Sequence, residues 1–498
     1  MADYKHGAYG VINAVGARAA NESSGVIVYV GTAPVHTLED GAKSVNKPIL
    51  VNNIGEARAY FGYSDDWAKY TLCEAMHVHL ENKGIGPIVM INVLDPTLAA
   101  HKASTSGSTS VTPSGGRLTI AAAESIILDT VVIKTQDSTP VTKVKGTDYT
   151  IAYDWTRKTI TATELTPGAL GTAALTVTYD IIDATAVTAA DVIGSTDGLG
   201  LNKGLYAIKD VYQLTGYIPA YLGAPGFSSV PTVHAAMYEN SVKINGHWDA
   251  YMFVDLPLSN SGTALTFDTI KTYKDGNGYT KENESVYFPM VLGVDGNKYH
   301  LSVLAAANFQ ELLAQHGGVP FNSASNTECS IIENLYLGET YKDRVFDDYI
   351  INAKLNKNGI NSAAYVGGRW AIWGAHSADY SQTNADSINV AETNRMMLYY
   401  ISNDFQHRRT FDVDKPTTPN SIQSIIVAEQ RRIDALIQIG ALIYGEVLLN
   451  ADYKAKTDIL NGDFSFIFRV TTTPLAKSLT AIVTWVDDGY VTYFEDAA

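Results

Sequence analysis

Apolar and polar positions along this chain fall into three successive patterns. From Gly25 to Leu94, short apolar runs alternate with helical periods. Val26–Val30 is an apolar run closed by Gly31 and Pro34, which predicts a buried strand. Ile54–Phe61 reads as a short helix with Asn52 or Asn53 as its cap and Gly62 as its stop. Asp65 or Asp66 is placed to cap a longer helix over Trp67–Lys83. Its stripe is Trp67, Tyr70, Leu72, Ala75, Met76 and Leu80, and Gly84 ends it. Pro87–Leu94 then reads as a second buried strand. Strand, helix, strand in this order predicts an α/β domain.

The period changes between residues 97 and 190. Twenty residues from His101 to Ala190 are threonine, and alternation of period two replaces the helical period. Strands are predicted at Arg117–Ile120, Ile126–Lys134, Thr147–Tyr153, Thr159–Thr163 and Ala174–Tyr179. Asp137-Ser138, Lys145-Gly146 and Pro167-Gly168 supply the turns. This predicts a small all-β sandwich inserted into the α/β domain.

From Gly198 the α/β pattern resumes. Ala235–Ile244 and Leu301–Gln315 read as helices, and Ala250–Leu256 and Val286–Leu292 as strands. Near the C-terminus, Thr418 or Asn420 can cap a long helix, with Pro419 in its first turn. Apolar residues recur at Ile422, Ile425, Ile426, Ile433, Leu436, Ile437, Ile443 and Val447, which predicts more than six helical turns. Phe464–Val470, Ala481–Val486 and Tyr490–Phe494 read as strands. Residues 1–20 carry Gly7, Gly10 and Gly16 but no core pattern, and read as an arm that orders against something else. No internal repeat is evident.

Composition narrows the function classes. The 498 residues carry 36 basic and 52 acidic side chains, a net charge of -16, with no basic cluster beyond Arg408-Arg409 and Arg431-Arg432. That balance disfavours nucleic acid and anionic membranes as partners. The first ten residues hold no apolar signal core, and no apolar run reaches the roughly 20 residues that span a membrane. Cys73 and Cys329 do not make a disulfide framework and fit a protein made in a reducing cytosol. Thirty tyrosines suit either core positions or protein interfaces.

Candidate chemistry is sparse. His77 and His79 lie two apart on a predicted helix, on different faces, so they read as surface histidines and not as a metal site. Gly198–Gly204 is glycine-rich with Lys203 but lacks the order of a phosphate loop and reads as a hinge. Asp275-Gly276-Asn277-Gly278 lacks the further ligands of a calcium loop and reads as a turn. No catalytic, cofactor or metal residue is predicted.

Several segments, in order, resemble the tail sheath family of contractile phages and phage-derived bacteriocins. They are Gly25–Pro34, Val51–Gly62, Tyr221–Pro257, Leu355–Asn361 (LNKNGIN), Gly440–Gly445 within the predicted long helix, and Asp458–Phe468. Where the family often has an Arg-Arg pair before its long helix, this chain reads Asn394-Arg395-Met396. The resemblance covers everything except the β insertion. It implies an α/β (α+β) multidomain fold with an inserted all-β sandwich-like domain and extended N- and C-terminal arms. The expected divisions are an arm at 1–20, α/β segments at 21–96, 191–354 and 355–484, the insertion at 97–190 and an arm at 485–498.

The resemblance further implies a structural subunit and not an enzyme. It would stack as sixfold rings around an inner tail tube protein, meet baseplate and tail-terminator proteins, and contract to drive the tube through a bacterial envelope. The particle would be a virion tail or tail-like assembly made in the bacterial cytoplasm. Neither cofactor, nucleic acid nor membrane insertion is implied. The arm strands lent to neighbouring subunits would hold Val11, Ile12 and Val15 at one end and Tyr490, Val491, Thr492, Tyr493 and Phe494 at the other. For Tyr490–Phe494, a local hairpin through Asp487-Asp488-Gly489 is the other reading. Arg431 and Arg432 would face the tube, or a solvated helix face. A rival reading is an α/β enzyme with a carbohydrate-binding β insertion, which clustered carboxylates of perturbed pKa in a cleft would support.

Overall fold

A computed structural model describes residues 25–339, 346–383, 388–450, 461–487 and 490. The chain separates into two compact units, Met1–Pro416 and Thr417–Ala498. The first is organised by an eight-stranded sheet. Its members are β1 (Val26–Gly31), β2 (Ile49–Val51), β3 (Ile88–Asn92), β10 (Pro219–Gly223), β11 (Tyr251–Asp255), β14 (Glu284–Tyr287), β18 (Ile360–Val366) and β19 (Arg369–Trp373). The order is β19-β18-β14-β11-β10-β1-β3-β2. The six strands from β18 to β3 run parallel, and β2 and β19 are antiparallel at the two edges. Strands covered on both faces read as continuous apolar runs, and this is why Val26–Val30 was legible. The division expected at residue 355 falls inside this one sheet, because β18 and β19 extend it.

The helices of this unit are α1 (Ile54–Phe61), α2 (Thr71–Ala75), α3 (Ala189–Ile193), α4 (Val211–Thr215), α5 (Pro231–Glu239), α6 (Ile270–Gly276), α7 (Leu301–Gln315), α8 (Asp348–Lys354) and α9 (Glu392–Arg409). α1 starts at the Asn53 cap, whose side chain accepts from the Glu56 N–H, and stops at Gly62 as expected. α7 also has its expected bounds. Its Phe309 ring meets Tyr221 edge-on at 4.9 Å and Phe253 at 5.7 Å, seating the helix on β10 and β11.

Other expectations are corrected. The helix expected over Trp67–Lys83 begins only at Thr71 and winds as a π-helix over Met76–Asn82. Thr32 is the cause. Its hydroxyl donates to the Lys69 carbonyl and accepts the Thr71 N–H, while its carbonyl takes the Leu72 N–H. These bonds cap the helix from the residue that follows β1, far away in sequence. His79 is fully buried, not on the surface: Nδ1 donates to Gln310 Oε1 at 2.6 Å and Nε2 accepts from Tyr29 Oη at 2.8 Å. Burial lowers its pKa to about 4, which matches a neutral ring. The helix expected at Ala235–Ile244 starts earlier, with Pro231 in its first turn, and ends at Glu239. The strand expected over Val286–Leu292 divides at Pro289, which has no N–H for a ladder. Its second half, β15 (Met290–Gly293), joins β16 (Lys298–Tyr299) and β17 (Ile332–Tyr336) in a separate antiparallel sheet.

Between β3 and α3 lie β4 (Gly107–Val111), β5 (Arg117–Ile120), β6 (Val132–Thr135), β7 (Tyr149–Asp154), β8 (Thr159–Glu164) and β9 (Leu175–Tyr179). They form two antiparallel three-stranded sheets, β4-β9-β6 and β5-β8-β7. Leu118, Ile151 and Ile160 from one sheet and Ile133, Leu175 and Val177 from the other share a single apolar cluster. The expected strand Ile126–Lys134 is shorter because Leu128–Thr130 turns as a 3₁₀ helix. β4, GSTSV, has no large apolar residue before Val111 and was not visible as a strand.

This segment is fastened to its surroundings by polar contacts. The Arg58 guanidinium of α1 lies over the rings of Tyr63 at 4.7 Å and Trp155 at 4.5 Å, and bonds Glu81 at 2.9 Å. His36 Nε2 donates to the Glu124 carbonyl at 2.8 Å, and Lys145 pairs with Glu39 at 2.9 Å. A short ribbon, β12 (Ser259–Asn260) and β13 (Thr263–Ala264), completes the strands among the described residues of the first unit. After α8 the LNKNGIN segment turns into β18 through Gly359 at φ +66°. A side chain there would meet the Ser377 and Tyr380 carbonyls within 2.8 Å.

Candidate functional site

The second unit carries the C-terminal segments that the sequence singled out for contact with other chains, Arg431, Arg432 and the C-terminal arm. Its helix α10 (Pro419–Gln438) starts as expected: the Thr418 hydroxyl accepts the Ser421 N–H, and the Ser421 hydroxyl accepts the Thr418 N–H. It does not continue to Val447. Gly440 at φ +79° stops it, with the Gly440 and Ala441 N–H groups returning to the Ile437 and Leu436 carbonyls. The chain then runs as β20 (Leu442–Leu449), antiparallel to β21 (Phe466–Thr472). Ile443 and Val447 are therefore strand residues, and Gly440–Gly445 is a turn and strand start, not part of the helix. Spacing of four residues fits a strand face as well as a helix face, so periodicity alone could not separate them. Gly440 and Gly445 were the available signal.

α10 packs on the hairpin through Ile433. Gly445 makes room for it: a Cβ at that position would lie 2.2 Å from Ile433 Cγ2. Glu446 and Arg469, opposite each other in the ladder, form an exposed ion pair at 3.0 Å. Such a pair is worth less than about 1 kcal/mol. Residues 473–486 are in neither helix nor strand. The strand expected at Ala481–Val486 is absent, and its apolar side chains lie open: Leu479 is 91% exposed, Ile482 89%, Val483 92% and Trp485 74%. An apolar run of this kind forms a strand only where a partner edge takes its backbone groups, and among the described residues none does.

Of the expected arm residues, Tyr490 is described and exposed, its ring 6.5 Å from that of Trp485. Val11, Ile12, Val15, Val491, Thr492, Tyr493 and Phe494 lie outside the described residues. Arg431 and Arg432 are both exposed on α10. The side chain that the sequence did not single out is Gln430, whose amide bonds the backbone of β20.

Groups suited to catalysis serve the interior. The Asp255 carboxyl is pushed up by burial and accepts from the Ser302 N–H and hydroxyl. The Glu392 carboxyl, also raised by burial, accepts from Ser285 and Ser323. Both are buried core acceptors. The Cys73 and Cys329 thiols are buried and pushed up to about 12 and about 11, far from the thiolate a nucleophile requires. Gly198–Gly204 is a turn in which the Asp197 carboxylate accepts the Leu199 and Leu201 N–H groups, so an acid occupies the position that a phosphate would take. Asp275–Gly278 closes α6 as a turn. Among the described residues, no helix is long and apolar enough to cross a membrane.

No family model matches the chain. The tail sheath protein of Burkholderia phage BcepMu is 32% identical over 268 residues, 53% of this chain and 50% of that protein. The chain thus spans about half the length of this curated relative. Among solved structures, the sheath tail protein of Desulfitobacterium hafniense is 11% identical, with a TM-score of 0.48, over 94% of this chain and 100% of that one. The sheath complex of an extracellular contractile injection system, PVC, in its contracted state gives 13% identity and a TM-score of 0.46, over 61% and 79%. The resemblance to contractile tail sheath proteins read from the motifs is borne out by the curated relative.

Proposed function

We propose that this chain is the structural subunit of a contractile tail sheath, without a catalytic role. It polymerises as stacked sixfold rings around an inner tube, meets baseplate and terminator proteins at the ends of the stack, and contracts to drive the tube through a bacterial envelope. It acts in a virion tail or tail-like particle and is made in the bacterial cytoplasm. Its working parts are the divisions at 1–20, 21–96, 97–190, 191–354, 355–484 and 485–498, of which 191–354 and the start of 355–484 share the eight-stranded sheet, with the all-β sandwich facing outward.

The observation that carries this reading is the exposed apolar segment at Leu479–Val486 in a relative of a sheath protein. Fully burying one such side chain is worth roughly 1.5–3 kcal/mol, so a run of them left in water marks a surface that another chain covers. Strands holding Val11, Ile12 and Val15, and Tyr490 with Val491, Thr492, Tyr493 and Phe494, are lent to neighbouring copies. Arg431 and Arg432, exposed on α10, face the tube. Contraction needs no nucleotide if it buries more surface. On the order of 400 Å² of extra apolar area per subunit would release about 10 kcal/mol. Subunits turn as rigid bodies while the arms act as hinges.

The test is negative-stain electron microscopy of the full chain and of a chain lacking residues 489–498. Hollow tubes with sixfold rings from the full chain, and a folded but non-assembling truncation, are expected. Tubes from the truncated chain would overturn the arm model. Only monomers from the full chain, with the tube protein present, would overturn the sheath reading.

A further inference from the structure

We infer that the outer edge of β4, in the β insertion, is an interface for a second copy of this chain, the two β4 strands pairing antiparallel about a two-fold axis. The bonds around β9 show which groups of β4 look outward. Lys143 N–H donates to the Ile133 carbonyl at 2.8 Å, and Thr135 N–H to the Val141 carbonyl at 3.0 Å. The odd-numbered residues of β6 therefore turn away from β9, and the even-numbered ones bond it. β9 in turn bonds β6 through Thr176 and Thr178, and β4 through Leu175, Val177 and Tyr179. The bonds at the root of the insertion agree. Ala103 N–H donates to the Ile181 carbonyl on the β4 side, and Ile127 N–H to the Asp180 carbonyl on the β6 side. Thr109 thus sits in the ladder with Val177, while Ser108 and Ser110 turn their N–H and C=O groups away from β9. Both serines are exposed, and among the described residues nothing bonds those backbone groups.

Sheet edges are commonly guarded by lysine, proline, a bulge or a covering segment. β6 has a cover in residues 141–143, which take its outward groups. β4 has none: GSTSV is regular and small, and residues 103–116 hold no charged side chain. That neutrality selects the partner. Two copies that each carry a net charge of -16 repel over most of their surface, and this edge lets them meet without opposing like charges. The edge is also self-complementary. In an antiparallel pair centred on Thr109, the Ser108 N–H meets the carbonyl of the partner's Ser110, and the Ser110 N–H meets the carbonyl of the partner's Ser108. The two-fold axis repeats both bonds, so every outward group of the two serines on either copy is used. The three-stranded sheets β4-β9-β6 of the two copies then run on as one. Copies in one polar stack are not related by such an axis. The contact therefore joins free copies, or copies of separate particles, and does not rest on the sheath reading.

The test is disulfide trapping in the full chain. The pairing sets Thr109 opposite the partner's Thr109 as a non-bonded pair, with Cα atoms about 4.5 Å apart, a separation that a disulfide bridges. Cys73 and Cys329 are buried, so neither competes. On oxidation with diamide, Thr109→Cys is expected to give a cross-linked dimer on a non-reducing gel. Thr119→Cys, exposed on the other sheet, is the reference and is expected to give none. Adding Ser110→Lys to Thr109→Cys brings a charge from each copy to the axis and is expected to abolish the dimer. Adding Ser110→Pro instead removes an outward N–H and is expected to do the same, while thermal unfolding of both variants stays as in the wild type. No dimer from Thr109→Cys, an equal yield from Thr119→Cys, or a dimer that survives Ser110→Lys would overturn the inference. Absence of wild-type tubes overturns the sheath reading alone and leaves the gel comparison intact.

Discussion

The imidazole Nδ1 of His300 lies 2.7 Å from Oε2 of Glu74, and the other oxygen of that carboxylate accepts the His300 backbone N–H at 2.6 Å. Glu74 is fully buried on α2, and His300 is the residue that enters α7. Asp255, at the end of β11, takes the Ser302 N–H of the same first turn at 3.0 Å. Two carboxylates from separate elements thus meet the unpaired donors and the positive end of α7, and so fix where that helix sits on the sheet.

Stability should depend on pH through this pair. Burial alone would lower the His300 pKa, but the facing Glu74 carboxylate outweighs it and raises the ring to about 9. A folded-state pKa above the unfolded value of about 6.5 gives stability that is complete below that pH and lost as pH rises through 9. Chemical denaturation should therefore show a stability loss between pH 6.5 and 9 that Glu74→Gln lacks. At pH 6.5 the variant should be less stable by about 3 kcal/mol, the lower range for breaking a buried ion pair.

Arg58→Ala should loosen the β insertion without unfolding the main sheet. The substitution removes the cation held over Tyr63 and Trp155 together with the Glu81 pair. Cation–π contacts of this kind contribute roughly 0.5–2 kcal/mol. Hydrogen exchange should rise in β7 and β8, which flank Trp155, and stay unchanged in β1, β10 and β11. Equal acceleration throughout would show that Arg58 supports the whole unit instead.

Gly445→Ala should destabilise the second unit by about 1–3 kcal/mol, since Ile433 Cγ2 occupies the space its methyl needs. Ile433→Ala should cost about 2–5 kcal/mol by leaving a cavity. Together the two should cost less than their sum, because the added methyl refills part of that cavity. A double-mutant cycle by thermal unfolding measures the coupling; strict additivity would contradict the packing described.

The apolar runs of β1, β3 and β11, the Asn53 cap of α1, the bounds of α7 and the start of α10 were all legible in the chain. Each is set by neighbours in sequence: a cap, a glycine stop, or a run buried on both faces. The resemblance motifs were local too, as at Gly359, where a tight turn admits no side chain. The errors share another cause. The helix at Trp67 is cut short by Thr32, 39 residues from Thr71. The helix predicted through Val447 turned to strand after Gly440, where β21 supplied the pairing. The strand predicted at Ala481–Val486 has an apolar run but no partner edge among the described residues.

The sequence by itself determined which segments would be strand or helix wherever burial and capping are local, and it carried the family resemblance. Only the tertiary structure decided where His79 and Glu74 lie, which strand Gln430 bonds and which apolar residues stay in water. Hydrogen bonds and burial of that kind join residues tens to hundreds of positions apart, and no window of the chain contains both ends.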